Sequence, residues 1–391
     1  MAAFSNMLSV FFLVFFVGIA SSDNNAKLTQ SINQFAHDLL EAVAKENAGK
    51  NIATSPVSTD ILLTLLALTA KGQTLAELIA ALHSTGFDPK DYKSTVEKMN
   101  SGQKGSPQLA LKVYINSDLN AESAMNPTFK QNAVQLGTEA QFVNFTKQNE
   151  AAAEMNSWVA SKTNNGIKDL INPADLHKDS SVVLVDALSF VGDFEQEFDP
   201  MFTWNDLFFP ENSEPKLLPT MHQFMENFPY EETAKKQVLW MPIKGGYNLV
   251  ITLPKEGPLE DDEDTKYSED SKPASIQAFV ALPKFHIETT IEDKTIMAKL
   301  GINTMFTDKA ELGVMNNPQS GGVTKSLKKT VINVDEKGVS AAITTGQVVE
   351  DKKPQQKSNA VVFIANKPFG YKLVSADGKI FISGKFTGNS N

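Results

Sequence analysis

The run S-V-V-L-V-D-A-L-S-F, from Ser181 to Phe190, limits this chain more than any other stretch. It is short, almost continuously apolar and rich in β-branched residues, so it reads as a strand buried on both faces. Such a strand needs covering layers on two sides, which implies a large sheet with helices or further strands packed against it. Asp186 interrupts the run near its middle. A buried carboxylate without a partner is costly, so the fold must bring one to it.

The covering elements are legible on either side of the run. From Asn25 to Lys45, Leu28, Ile32, Phe35, Leu39, Leu40 and Val43 recur at helical spacing. Ile61 to Leu68, after Ser55-Pro56, is densely apolar and reads as a buried helix. Gly72 ends it, and Thr74 with Glu77 has the spacing of a capping box for a helix through Leu82. Helices are also predicted over 127–136 and over Lys147 to Thr163, with strands at Leu109 to Ile115 and Ala140 to Phe145. The second half is strand-rich, with apolar segments between turns at Gly245-Gly246, Pro254 and Asp377-Gly378. Helices dominate the first half and strands the second, with no βαβ alternation and no repeat. The fold class is therefore α+β, in one large domain over 23–391.

The stretch from Val334 to Lys367 has an unusual construction. Two apolar strand segments flank a polar excursion much longer than an ordinary connection of about 4–6 residues. Within it, Val339, Ala341, Ile343, Thr345 and Val349 alternate with Ser340, Ala342, Thr344 and Gly346, so the first set would share one face of an extended chain. Glu350 to Asn359 is polar, and Lys352 and Lys353 offer a trypsin-type cleavage site at a loop tip. A cut there would free a strand able to join a sheet; the plainer reading is a surface loop that happens to alternate.

The apolar run from Leu8 to Ile19, followed by Ala20, Ser21 and Ser22, reads as a secretory signal over 1–22, although its first residues lack Lys and Arg. It is too short for a membrane span, and no later run is long enough for one. A net charge of −10 disfavours nucleic acid as a partner. The chain has no cysteine, which removes thiol nucleophiles and thiolate metal sites. His37, His83, His177, His222 and His286 are scattered without metal-ligand spacing, and the acidic run from Leu259 to Asp270 lacks the order of a calcium loop. No cofactor, no metal and no enzymatic activity are expected. Asn144-Phe145-Thr146 is an N-glycosylation acceptor.

From Asn25 to Lys385 the chain resembles the serpins, of the secreted, insect-like kind. The resemblance is carried by an ordered set of motifs: N-I-A-T-S-P-V-S at Asn51, G-Q-T-L-A-E-L at Gly72, N-S-W-V-A-S-K-T at Asn156, L-V-D-A-L-S-F at Leu184, then F-P-Y, V-L-W-M-P-I, L-V-I-T-L-P and L-P-K-F, D-E-K-G at Asp335 and N-K-P-F at Asn366. It implies three β-sheets, eight or nine helices and an exposed reactive-centre loop over about 338–360. It also implies a suicide-substrate mechanism, in which a protease forms an acyl-enzyme on the loop and the cut strand inserts into the large sheet.

On that resemblance the hinge comprises Glu336, Gly338, Val339, Ser340, Ala341 and Ala342. The scissile bond lies sixteen residues beyond Glu336, at Lys352-Lys353; counting back from N-K-P-F gives Lys357-Ser358 instead. Either choice implies a target protease that cleaves after Lys; a monomer is expected. Ser55, Ser58, Asp186 and Lys328 occupy the family's shutter positions, but Asp186 and Lys328 replace the usual Asn and His. Their opposite charges predict a buried ion pair. Val339 and Ile343 are bulkier than the hinge pattern and support an alternative, non-inhibitory carrier, storage or chaperone-like role. A cysteine-protease target is the other alternative.

Overall fold

The computed structural model describes residues 2–84, 86–99, 105–117, 125–257, 267–316, 321–340 and 360–389. Strand β4 (Val182–Phe190) is buried at every position, as its composition requires. It pairs antiparallel with β2 (Pro107–Asn116) and parallel with β12 (Val323–Asp335). Its alternate residues feed two cores. Val182, Leu184, Leu188 and Phe190 join the main core, while Val183, Val185 and Ala187 join a second one on the other face.

Helix α2 (Pro56–Ala67) fills the main-core side and is buried throughout. Helix α6 (Gln148–Lys162) covers the other side with Met155 and Val159. Asp186 has the parity of Leu184 and Leu188, so it points towards α2. A helix carrying Ser58 and Thr59 among leucines is therefore what meets the carboxylate.

This sheet has seven strands, with β3 (Glu139–Val143) beside β2 and β11 (Phe285–Glu292) on the outer edge of β12. The inner edge of β12 changes partner along its length. It pairs with β4 from Val323 to Val331, then from Asn333 with the three-residue strand β13 (Gly338–Ser340). Strand β13 in turn pairs with β5 (Gly192–Asp193), which continues the path of β4. The sheet is thus closed along β4 and β12 at one end and parted at the other, with β13 in the gap.

The remaining nine strands form one hydrogen-bonded set, which β7 (Lys216–Glu232) divides into two layers. Up to Pro229 it pairs with β6 (Thr203–Phe208) and β10 (Ser275–Pro283); from Tyr230 it pairs with β8 (Lys236–Ile243). Strand β14 (Val361–Ile364) closes the first layer at its edge. In the second, β8 is followed by β9 (Tyr247–Pro254), β15 (Phe369–Ser375), β16 (Ile380–Phe386) and β1 (Ile52–Thr54). Three sheets are therefore recognisable, joined through one long strand.

Seven α-helices occur among the described residues. Helix α1 runs from Ala2 to Glu46, so the expected signal segment is continuous with the predicted amphipathic helix. No helix among the described residues is long and apolar enough to cross a membrane.

The capping box predicted at Thr74 and Glu77 is not formed. Helix α3 (Gly72–Ala81) starts earlier, and both side chains have tertiary partners. Thr74 Oγ1 accepts from the Glu311 amide at 3.1 Å. Glu77 accepts from the Asn303 and Thr304 amides, each at 2.8 Å, and from the Thr304 hydroxyl at 2.7 Å. Three donors offered by another segment outweigh one local cap.

Candidate functional site

The parallel register places Lys328 directly opposite Asp186. Both side chains are essentially inaccessible, and Lys328 Nζ lies 3.7 Å from Asp186 Oδ2. Thr59, one turn into α2, bridges them: Lys328 donates to its Oγ1, and that hydroxyl donates to Asp186 Oδ2 at 2.8 Å. Lys328 also donates to the Ser55 carbonyl at 3.3 Å. Asp186 Oδ1 has no hydrogen-bond partner among the described residues. The pair is thus buried and only partly satisfied.

Ser55 is the N-cap residue of α2, yet its side chain makes no cap bond. Its hydroxyl instead accepts from Thr330 Oγ1 at 3.0 Å, and its carbonyl accepts from Ser58 Oγ at 2.9 Å. All four predicted shutter residues therefore meet in one polar island between α2 and the β4–β12 seam. Thr59 and Thr330 complete it. A signal for Thr59 is present in the polar residues Ser58, Thr59 and Asp60 at the start of an otherwise mostly apolar helix; none marks Thr330, which lies on β12.

The hinge is clamped into the sheet. Asp335 Oδ1 accepts from the amides of Lys337 and Gly338, at 3.0 and 3.3 Å. The carbonyls of Glu336 and Lys337 accept from the amides of Phe198 and Phe194, at 2.8 and 2.6 Å. Glu336 is held by Lys284 at 2.7 Å and by the Thr203 hydroxyl at 2.9 Å. Burial alone would raise its pKa, but these donors outweigh burial and the carboxyl sits below the usual range.

Val339 is buried at 1% exposure within the main core. The first residues of the expected loop, 338–340, are strand residues here, because β12 offers hydrogen bonds to all three and β5 to Gly338 and Val339. Val339, whose bulk stood against insertion, is already accommodated.

Gly338 has φ +149°, and a Cβ there would lie 2.2 Å from the Gly192 carbonyl oxygen. Gly338→Ala is expected to push β13 out of its gap. Amide hydrogen exchange at Val339 and Ser340 should then rise; unchanged protection would show that the strand tolerates the methyl.

Ala341, Ala342, Lys352, Lys353, Lys357 and Ser358 lie outside the described residues. At the glycosylation acceptor, Asn144 Oδ1 accepts from the Thr146 amide at 2.9 Å and from its hydroxyl at 2.6 Å. Thr146 is exposed and Asn144 half-buried, while Phe145 between them is buried in the second core.

The hinge is thus seated between parted strands, at the end of a seam closed by a buried ion pair. The family model "Serpin (serine protease inhibitor)" matches residues 30–388. The chain belongs to the serpins. Among its relatives, the "Antitrypsin" of Bombyx mori is 29% identical, the match covering 96% of this chain and 98% of the relative. "Antichymotrypsin-2" from the same insect is also 29% identical, over 90% and 96%. The crystal structure of Serpin48, described as a highly specific serpin of the insect Tenebrio molitor, superposes with a TM-score of 0.78 at 26% identity, covering 93% of this chain and 98% of that one. This serpin thus shares both the fold and the chain length of insect relatives.

Proposed function

We propose that this serpin is secreted and inhibits a trypsin-like serine protease as a suicide substrate. The protease's serine attacks the carbonyl of Lys352; the amine of Lys353 leaves with a proton, and an ester joins enzyme to loop. The freed strand then continues from β13 along β12, parting β4 from β12 and carrying the protease with it before water hydrolyses the ester. The observation that supports this reading is β13 itself. Its residues already occupy the insertion path, which shortens the race between insertion and deacylation.

Incubation with trypsin at several ratios is the direct test. A complex of summed mass, stable on denaturing gels, is expected, together with a released fragment beginning at Lys353. A fragment beginning at Ser358 would move the bond to Lys357-Ser358. Clean cleavage with trypsin activity undiminished would overturn the inhibitory reading in favour of a substrate-type serpin.

A further inference from the structure

The outer face of the layer formed by β6, β7, β10 and β14 carries an aromatic and apolar cluster, within which Asp206 accepts from Trp204 Nε1 at 3.1 Å and pairs with His222 Nε2 at 2.8 Å. Trp204 stacks on His222 with ring centroids 3.7 Å apart, and Phe224 lies 5.2 Å from both Phe202 and Phe279. Phe279 is the register neighbour of Val362, and Ala281 of Ile364. Val280 and Phe363, of opposite parity, point into the core. Val362 and Ile364 are therefore on the outer side, where they are 38% and 39% exposed; Phe202 is 36% and Met201 64% exposed. Large apolar side chains gathered on one face of a soluble protein mark a contact surface.

Beyond the free edge of β14 this face descends into a groove of about 340 Å³, lined by Leu253, Pro254, Val362 and Ile364 and by the lysines Lys255 and Lys367. Lys255 is paired with Glu232 at 2.7 Å. The Lys367 ammonium donates to the Lys255 carbonyl at 2.6 Å, and among the described residues no carboxylate pairs with it. In a chain of net charge −10 this is a local positive site beside an apolar one.

Both ends of the bait segment border this face. At one end, Thr203 of β6 and Lys284, just after β10, hold Glu336 of the hinge. At the other, β14 begins immediately after residues 341–359. A protease gripping that segment is therefore tethered next to this layer at both ends of the segment.

We propose that this face, from Phe202 to the Lys367 groove, is a docking surface for the body of the target protease, taking an apolar rim with a carboxylate beside it. The inference rests on the inhibitory reading above. Contacts away from the scissile bond would raise the encounter rate and add selectivity that the Lys352 side chain alone does not supply.

The test compares the wild-type chain with Ile364→Glu and Lys367→Glu, using trypsin as the probe. The second-order rate of complex formation is measured beside the rate at which trypsin cuts a free peptide of residues 338–360. Both variants should associate about tenfold more slowly than wild type, with unchanged thermal melting and inhibition stoichiometry. If Ile364→Glu does not fold, Lys367→Glu carries the test, being at the surface. Equal rates in wild type and folded variants would overturn the docking surface and leave inhibition standing. Wild type that forms no complex with trypsin would overturn both. A wild-type dimer that the variants dissociate would overturn the proposal and assign the face to self-association.

Discussion

Asp186→Ala and Lys328→Ala are each expected to destabilise this serpin by about 3–5 kcal/mol, because each leaves the other charge buried without its counterion. The double variant should cost clearly less than the sum, since no orphaned charge remains. The pair spans β4 and β12 with side chains at 0% and 2% exposure, so solvent does little to screen it. Thr59 bonds both partners, and its replacement by valine should weaken the coupling without abolishing it. Urea unfolding of the four proteins gives the coupling energy, and strictly additive costs would show that the two charges are independent. The seam is also the one that loop insertion would open under the proposed inhibitory mechanism. The double variant should therefore form the protease complex faster, or pass more readily into a loop-inserted form on warming.

The stability of the protein should fall by about 4 kcal/mol as pH rises from about 4 to about 7, owing to one residue of α2. Asp60 is buried next to Thr59, and burial pushes its carboxyl up to about 7, despite a hydrogen bond from the Tyr92 hydroxyl at 2.5 Å. Its other oxygen has no hydrogen-bond partner among the described residues. Between the ordinary value of 3.8 and the folded value, the folded chain keeps a proton that the unfolded chain releases. Raising pH through that window thus favours unfolding, and above about 7 the effect is constant. Carboxyls held low act in the opposite sense, Asp377 at about 2 below this window and glutamates such as Glu336 only at its lower edge. Asp60→Asn should remove the slope and raise stability at pH 8. Melting curves of wild type and Asp60→Asn that stay parallel from pH 4.5 to 8 would sink this assignment.

Period-two burial on both faces marks β4 from sequence because every residue between Ser181 and Phe190 is apolar or small except Asp186. The helical spacing of α1 and the apolar density of α2 are legible for the same reason: each pattern is local and strong. Resemblance extended that reading to shutter and hinge: the four shutter side chains lie in one cluster, while Ala341 and Ala342 of the hinge lie outside the described residues. Weaker local signals failed where distant groups competed. Thr74 and Glu77 carry a capping pattern, but donors from Asn303, Thr304 and Glu311 captured both side chains. Strand β13 was not legible as a member of the sheet, because Gly338, Val339 and Ser340 carry no local signal for the gap between β5 and β12 that receives them.

The order of helices and strands, the demand that Asp186 find a partner and the candidate bait segment were determined by sequence alone. Each follows from composition and periodicity within one stretch of chain. The identity of that partner's bridge, Thr59, the protonation of Asp60 and the seating of Val339 were decided only by tertiary structure. They depend on which surfaces meet across tens to more than a hundred residues of chain, where parallel register, desolvation and the gap between β5 and β12 set the outcome, and no local pattern encodes those distances.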